Sequence, residues 1–260
     1  MRRIVVDIGN SKLAAALADG GRLRERFTRP YGRDGQTGRE RAVAALGDWC
    51  VEQLRDGGLK AVGCSSVAPI VGKLWAELWR GRELTREIPF VQIDHRSPLP
   101  YTLSIDEPHS VGADRLCNVA AAARRGLKNA IVMDLGTANT YDVLSNGVFI
   151  GGLIAAGTVS AHGALIERGA QLPDLPFEKP QALVGRRTAE AMQSGSFHQG
   201  IGGIYYVLHR LQRAHSGFLT LATGGIAQLL ADELPPDVLL VPDLTLEGVL
   251  AILDATQESD

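Results

Sequence analysis

Read by its apolar and polar positions, the chain falls into two passes through the same order of elements. An apolar run at residues 2 to 7, "RRIVVD", reads as a buried strand, and "SKLAAALADGGRLRERFTR" continues as strand, turn and strand around Asp19-Gly20-Gly21. The alanines of 14 to 18 would suit a helix equally well. "GRERAVAALGDWCVEQLRDGG" spaces its apolar residues helically and ends at Gly57-Gly58. A strand follows in "LKAVGCSSVAP", then a short helix over 70–80 carrying Trp75 and Trp79, a strand in "PFVQID", and a helix in "SVGADRLCNVAAAARRGL" with Ser110 as its N-cap. The second pass runs "AIVMDLGTANTYDVLSNGVFIGGLIAAG" as three strands with an Asn146-Gly147 hairpin. Helices over 158–171 and about 186–214 come next, then the strand "LTLAT" with Gly224-Gly225 opening a helix, the strand "DVLLVPD", and a last helix in "TLEGVLAILDA".

The two passes share a device. "IVVDIGNSKLAAAL" starts at Ile4 and "IVMDLGTANTYDVL" at Ile131, so that Asp7 pairs with Asp134 and Gly9 with Gly136 at one offset of 127 residues. A duplication of alike lobes with a ligand cleft between them is the expectation. In each Asp-x-Gly turn the glycine lets backbone N–H groups approach phosphate oxygens. Ser11, Thr137 and Thr140 add hydroxyls, and Lys12 adds a positive charge. A carboxylate beside phosphate makes sense when it serves a cation such as Mg²⁺; the plainer alternative is an Asx-turn. Thr223-Gly224-Gly225 brings a third bare turn. Asp114 and Arg115, in the first turn of a helix, read either as dipole compensation or as a base and an anion-gripping fork.

Composition narrows the class. The 260 residues are 45% hydrophobic and 22% charged, with net charge -2, which leaves no electrostatic pull toward nucleic acid or anionic membrane. No apolar run is long enough to span a bilayer, and Asp7 interrupts the first one too early for a secretory signal. Cys50, Cys64 and Cys117 are odd in number without CxxC spacing, as expected of buried thiols in a reducing cytoplasm. The six histidines form no zinc pattern, and neither a Walker A motif nor a Gly-x-Ser-x-Gly elbow occurs.

In motif order the chain resembles the type III pantothenate kinases of the acetate and sugar kinase/Hsp70/actin superfamily. The residues that carry this are "DIGNS" at 7–11, "GADR" at 112–115, "DLGTANTYD" at 134–142, "GGLIAAG" at 151–157, "RTAEAMQSG" at 187–195, "TGG" at 223–225 and "LTLEGV" at 244–249. The resemblance implies α/β architecture with duplicated ribonuclease H-like (actin-like) lobes, each a mixed five-stranded sheet flanked by helices, divided as 1–117 and 118–260. It implies ATP-dependent phosphorylation of pantothenate to 4'-phosphopantothenate in the cytoplasm, by a homodimer. Asp7, Ile8, Gly9, Asn10, Ser11 and Lys12 would meet the ATP phosphates, with Asp7 serving Mg²⁺ through them. Thr137, Gly224 and Gly225 would also face ATP. Asp114 would be the general base, and Gly112, Ala113, Asp114 and Arg115 would line the pantothenate pocket. Thr188 would reach pantothenate across a dimer interface, and Asp134 would bind the monovalent cation, K⁺ or NH₄⁺.

Three positions depart from the family pattern: Ile105 where a Tyr is usual, with Tyr101 the candidate replacement, Ala156 for a proline, and Lys12 for an uncharged residue. A regulatory relative with weak catalysis, or a kinase of the same superfamily for another hydroxyl, are the competing readings.

Overall fold

The structure is a computed structural model and describes residues 1–31, 35–55 and 57–258. The backbone divides into two compact units, and the division is not a cut into consecutive halves. One unit comprises Met1–Lys128, Gly147–Ile150 and Asp243–Asp260, and the other Asn129–Asn146 and Gly151–Pro242. The boundary expected between residues 117 and 118 therefore falls inside a helix that belongs wholly to the first unit.

The first unit is built on β1 (Arg2–Ile8), β2 (Lys12–Asp19), β3 (Arg22–Pro30), β4 (Leu59–Ser66) and β5 (Phe90–Gln92), in the sheet order β3-β2-β1-β4-β5. β1, β2 and β3 are an antiparallel meander, and β4 runs parallel beside β1. The alanine-rich 14–18 segment is strand: its pairing to β1 on one edge and β3 on the other overrides its helical propensity. Gly20 and Gly21, at φ of 57° and 79°, make the turn. Alternate side chains of the sheet face two different cores. Ile4, Ile8 and Leu13 pack with Leu46 of α1 (Gly35–Leu54) and with Trp75 and Trp79 of α2 (Pro69–Gly81). On the other face, Val5, Ala16 and Ala18 pack with Ala113, Cys117 and Ala120 of α3 (Ala113–Arg124) and with Val249, Leu250 and Leu253 of α7 (Leu244–Glu258).

The α3–α7 contact depends on small residues. A Cβ placed on Gly248 would sit 1.8 Å from the Cys117 carbonyl oxygen, so the two helix backbones touch where Gly248 lies. Thr245 donates to Asn118 at 2.8 Å across the same contact, and Asp254 pairs with both Arg3 and Arg124. α3 begins at Ala113 with Gly112 as its N-cap residue, whereas Ser110 closes a separate 3₁₀ turn, Pro108–Ser110, and bonds back to Glu107. The expected Ser110 cap is thus corrected. Pro108 starts its own turn, and the extended Val111 (φ -74°, ψ 125°) separates that turn from the helix.

The second unit repeats the plan. β7 (Ala130–Leu135) and β8 (Ala138–Ser145) are antiparallel, β9 (Val148–Ala156) lies beside β8, and β10 (Leu219–Thr223) and β11 (Val238–Leu240) add in parallel on the other side of β7. Asn146 at φ 52° and Gly147 at φ 78° form the hairpin turn that the Asn-Gly pair predicts. Ile131, Met133, Leu135 and Tyr141 pack against Phe197, Ile204 and Leu208 of α5 (Thr188–Ala214). α4 (Thr158–Arg168) and the short α6 (Gly225–Leu229) complete the helices. β6 (Thr102–Leu103) is a sixth strand beyond the five expected in this sheet, and it pairs with Val148 and Phe149 at the start of β9, residues of the first unit.

A Gly248→Ala substitution should break the α3–α7 approach, since backbone cannot yield as a flexible side chain does. We expect a loss of about 3 kcal/mol, read by calorimetry as a lower unfolding midpoint; an unchanged midpoint would show that the helices can separate at no cost.

Candidate active site

β1 delivers Asp7 to the end of the first sheet, and parallel register places it opposite Ser65 on β4. Ser65, fully buried, donates to Asp7 Oδ1 at 3.1 Å. Beyond Asp7 the chain turns through Gly9, whose N–H donates to the Lys12 carbonyl at 3.0 Å. Tyr31, 4% exposed at the end of β3, braces this turn twice: its N–H donates to the Ser11 carbonyl at 3.1 Å, and its hydroxyl donates to the Gly9 carbonyl. Asn10, Ser11 and Lys12 are exposed at the tip.

Among the described residues nothing demands glycine at position 9. Its φ is not positive, and an added Cβ would meet only the Lys12 carbonyl, at the ordinary distance of 3.4 Å. Gly136 is alike, with its nearest neighbour at 3.7 Å. The two glycines thus stand at matching turns after an Asp, with room for a side chain among the described residues.

The second loop is one residue tighter. Gly136 N–H donates to the Ala138 carbonyl at 3.1 Å, and the Thr137 carbonyl accepts from the Gly157 N–H at 3.1 Å and the Ser160 hydroxyl at 2.8 Å. Gly157, unlike Gly136, is required by packing: a Cβ there would lie 2.1 Å from the Gly136 carbonyl oxygen. The same holds for Gly224, with φ 93° and an added Cβ at 2.3 Å from the Leu135 carbonyl oxygen and 2.6 Å from Asp134 Oδ1. Gly224 thus closes the turn around the Asp134 carboxylate. Gly225 is exposed at the first position of α6.

Asp114 sits in the first turn of α3, and its Oδ1 accepts the Arg115 N–H at 2.7 Å. Gly112 makes room for that carboxylate, since a Cβ there would meet Oδ1 at 2.5 Å. Burial raises the Asp114 pKa above the ordinary carboxylate value, against the opposing pull of the Arg115 hydrogen bond and charge. The Arg115 guanidinium lies over the Phe149 ring, 5.7 Å from its centre. Tyr101 packs edge-on against the same ring, and its hydroxyl donates to the Leu116 carbonyl at 3.0 Å, which ties it to α3. Ile105 is half-buried, and Thr188 is exposed as the first residue of α5.

The structure therefore groups the expected residues into two sets. Asp7 to Lys12, Gly112 to Arg115 and Tyr101 belong to the first unit, and Asp134, Thr137, Gly224, Gly225 and Thr188 to the second. Sequence reasoning missed Ser65, Tyr31, Gly157 and Ser160. Only Gly157 carried a signal, as the end of the "GGLIAAG" motif. Among the described residues no three His, Cys, Asp or Glu side chains form a metal cage. No helix of the described residues is long and apolar enough to cross a membrane.

Two sheets of this strand order flanked by helices, each with an Asp-x-Gly turn at its central strand, define the actin-like fold shared by ATPases and sugar kinases. The ROK family glucokinase of Streptomyces griseus, solved with glucose and AMPPNP, overlays with a TM-score of 0.55 at 14% identity, covering 98% of each chain. A Baf family transcriptional activator from Campylobacter jejuni overlays with a TM-score of 0.58 at 18% identity, over 98% of this chain and 99% of that one. Sequence is more specific: the family profile described as type III pantothenate kinase matches residues 3–210. The type III pantothenate kinase of Paramagnetospirillum magneticum is 34% identical over 255 residues, 96% of this chain and 95% of that protein. The chain belongs to the type III pantothenate kinase family.

The raised Asp114 pKa has a consequence for stability. A carboxyl whose folded pKa lies above its unfolded value stabilises the fold when protonated, and that contribution is lost as pH rises through the folded pKa. Where the pH lies above that folded pKa, as the shift's direction permits at pH 7 to 8, the Asp114 carboxylate therefore opposes folding. Asp114→Asn should raise the unfolding midpoint there, and the advantage should shrink as pH falls toward the ordinary carboxylate range. Calorimetry of both proteins across pH checks this, and a variant less stable at pH 7.5 would contradict it.

Proposed function

We propose that this chain transfers the γ-phosphoryl group of ATP to the hydroxyl of pantothenate, giving 4'-phosphopantothenate and ADP in the cytoplasm, a step toward coenzyme A. The observation that carries the assignment of roles is Asp114: a mostly buried carboxyl of raised pKa, held by the Arg115 N–H at the start of α3. Its basicity suits it to accept the hydroxyl proton as the oxygen attacks phosphorus. The new O–P bond forms as the bond between the γ-phosphorus and the bridging oxygen breaks, and the released ADP carries that electron pair. Asp114 then returns its proton to solvent.

The remaining residues bind and orient. The backbone of Asp7 to Lys12 meets the phosphates, where Gly9 leaves the approach open, and Lys12 adds positive charge. Mg²⁺, when bound with the nucleotide, neutralises phosphate charge, and Asp7 orients it. Thr137, Gly224 and Gly225 face ATP. Asp134, enclosed by Gly224, serves the monovalent cation. Arg115 grips the pantothenate carboxylate, held in place by Phe149. Tyr101 acts through α3, since its hydroxyl is bonded to the Leu116 carbonyl.

Purified protein with ATP, Mg²⁺ and K⁺ should release ADP only when pantothenate is present. Turnover should fall when Na⁺ replaces K⁺. Asp114→Asn should lower kcat by about 10²–10⁴-fold while nucleotide binding persists. Near-normal turnover in that variant would remove Asp114 as the base.

The active form is a homodimer in which Thr188 reaches the pantothenate of a second copy. In support, the second unit exposes Leu153, Ile154, Val159, Leu165 and Tyr206, with Ile154 at 66% and Tyr206 at 62% of full exposure. Sedimentation should give a dimer for the parent protein and a monomer with little activity for Ile154→Asp. A fully active Ile154→Asp monomer would refute the shared site.

A further inference from the structure

We infer that Ser65 is a positioning residue for nucleotide-bound Mg²⁺: its hydroxyl fixes the orientation in which the Asp7 carboxylate meets the cation. This rests on the reading of Asp7 as the carboxylate that serves Mg²⁺.

The geometry begins with the sheet. β1 and β4 run in parallel register, Asp7 opposite Ser65, so both side chains leave the same face. That face is the one covered by α3, where Val5 packs against Ala113 and Cys117. A serine with no exposure, among apolar neighbours, carries a desolvation cost unless its hydroxyl is bonded. It meets that cost by donating its one proton to Asp7 Oδ1 at 3.1 Å. A hydrogen bond to a charged acceptor is worth more than one between neutral groups, and it restricts rotation of the carboxylate about its last bond.

Cys117 follows Asp114 by one helical turn on α3, and its side chain is fully buried. Burial, and next the Asp7 charge, push the Cys117 thiol well up, so it stays protonated and adds no second negative charge beside Asp7. The carboxylate thus has a fully buried hydroxyl from β4 as its partner. This is the arrangement by which outer residues tune a metal-facing carboxylate, and loss of such a partner costs roughly 10-fold or more in metal affinity.

The test measures binding as well as turnover, on the full chain. The dissociation constant of AMPPNP is determined by calorimetric titration with Mg²⁺ and with EDTA, and the ratio of the two is the Mg²⁺ enhancement. Ser65→Ala should reduce that enhancement roughly 10-fold, with affinity in EDTA and the KM for pantothenate unchanged. Asp7→Asn should abolish the enhancement, and Ser65→Ala should add nothing in the Asp7→Asn background. Should Ser65→Ala fail to fold, Ser65→Cys keeps the shape with a weaker donor and should show an intermediate loss. A parental enhancement in the serine variant, with Asp7→Asn still abolishing it, overturns the role of Ser65. Parental enhancement in Asp7→Asn, or no enhancement in the parent, overturns the reading of Asp7 itself.

Discussion

The meeting of α3 and α7 backbones at Gly248 is the constraint on which the first unit depends. Helices normally stand 8–10 Å apart on their side chains, and here one glycine lets a carbonyl of the neighbouring helix fill the place of a Cβ. The alanines of α3 extend the same close packing along the helix, with Ala120, Ala121 and Ala122 fully buried. A helix seated this firmly carries Asp114 at its first turn and Cys117 one turn on. The last helix of the chain thereby holds the proposed base, from residues more than a hundred positions away. Discontinuity of the first unit follows directly, because α7 has to return to it.

The two Asp-x-Gly turns show how alike sequence signals separate once neighbours are known. Gly9 and Gly136 have room for a side chain, whereas Gly157 and Gly224 have none. Glycine alone therefore cannot mark a ligand contact; the distinction lies in what a Cβ would strike. In the second loop the packing glycines press backbone and carboxylate together, and in the first a buried tyrosine, Tyr31, does the equivalent work through two hydrogen bonds. The duplication is thus conserved in topology and diverged in its bracing.

Much of this was legible along the chain. The succession of strands and helices, the Asn146-Gly147 hairpin and the two Asp-x-Gly turns follow from local chemistry: period-two burial, turn residues with positive φ, and an Asp before a glycine. Ser110 was misplaced because a capping residue type was taken for a cap, while the proline before it nucleated a separate turn. Ser65 was invisible for a different reason. Its meaning comes from parallel register between β1 and β4, 58 residues apart in sequence, and a serine inside "GCSSV" carries no trace of the carboxylate beside it. The same long-range logic hid the course of the unit boundary through 147–150 and 243.

The three cysteines acquire a use from their placement. Cys50, Cys64 and Cys117 are all unpaired, all buried and all in the first unit, and burial raises the pKa of each thiol. Since only an accessible thiolate reacts with alkylating reagents, the folded protein is its own stopwatch: each adduct records one opening. Cys50 times the separation of α1 from the sheet, and Cys117 times the lifting of α3, so ligand-induced tightening around the proposed base becomes measurable without adding a probe.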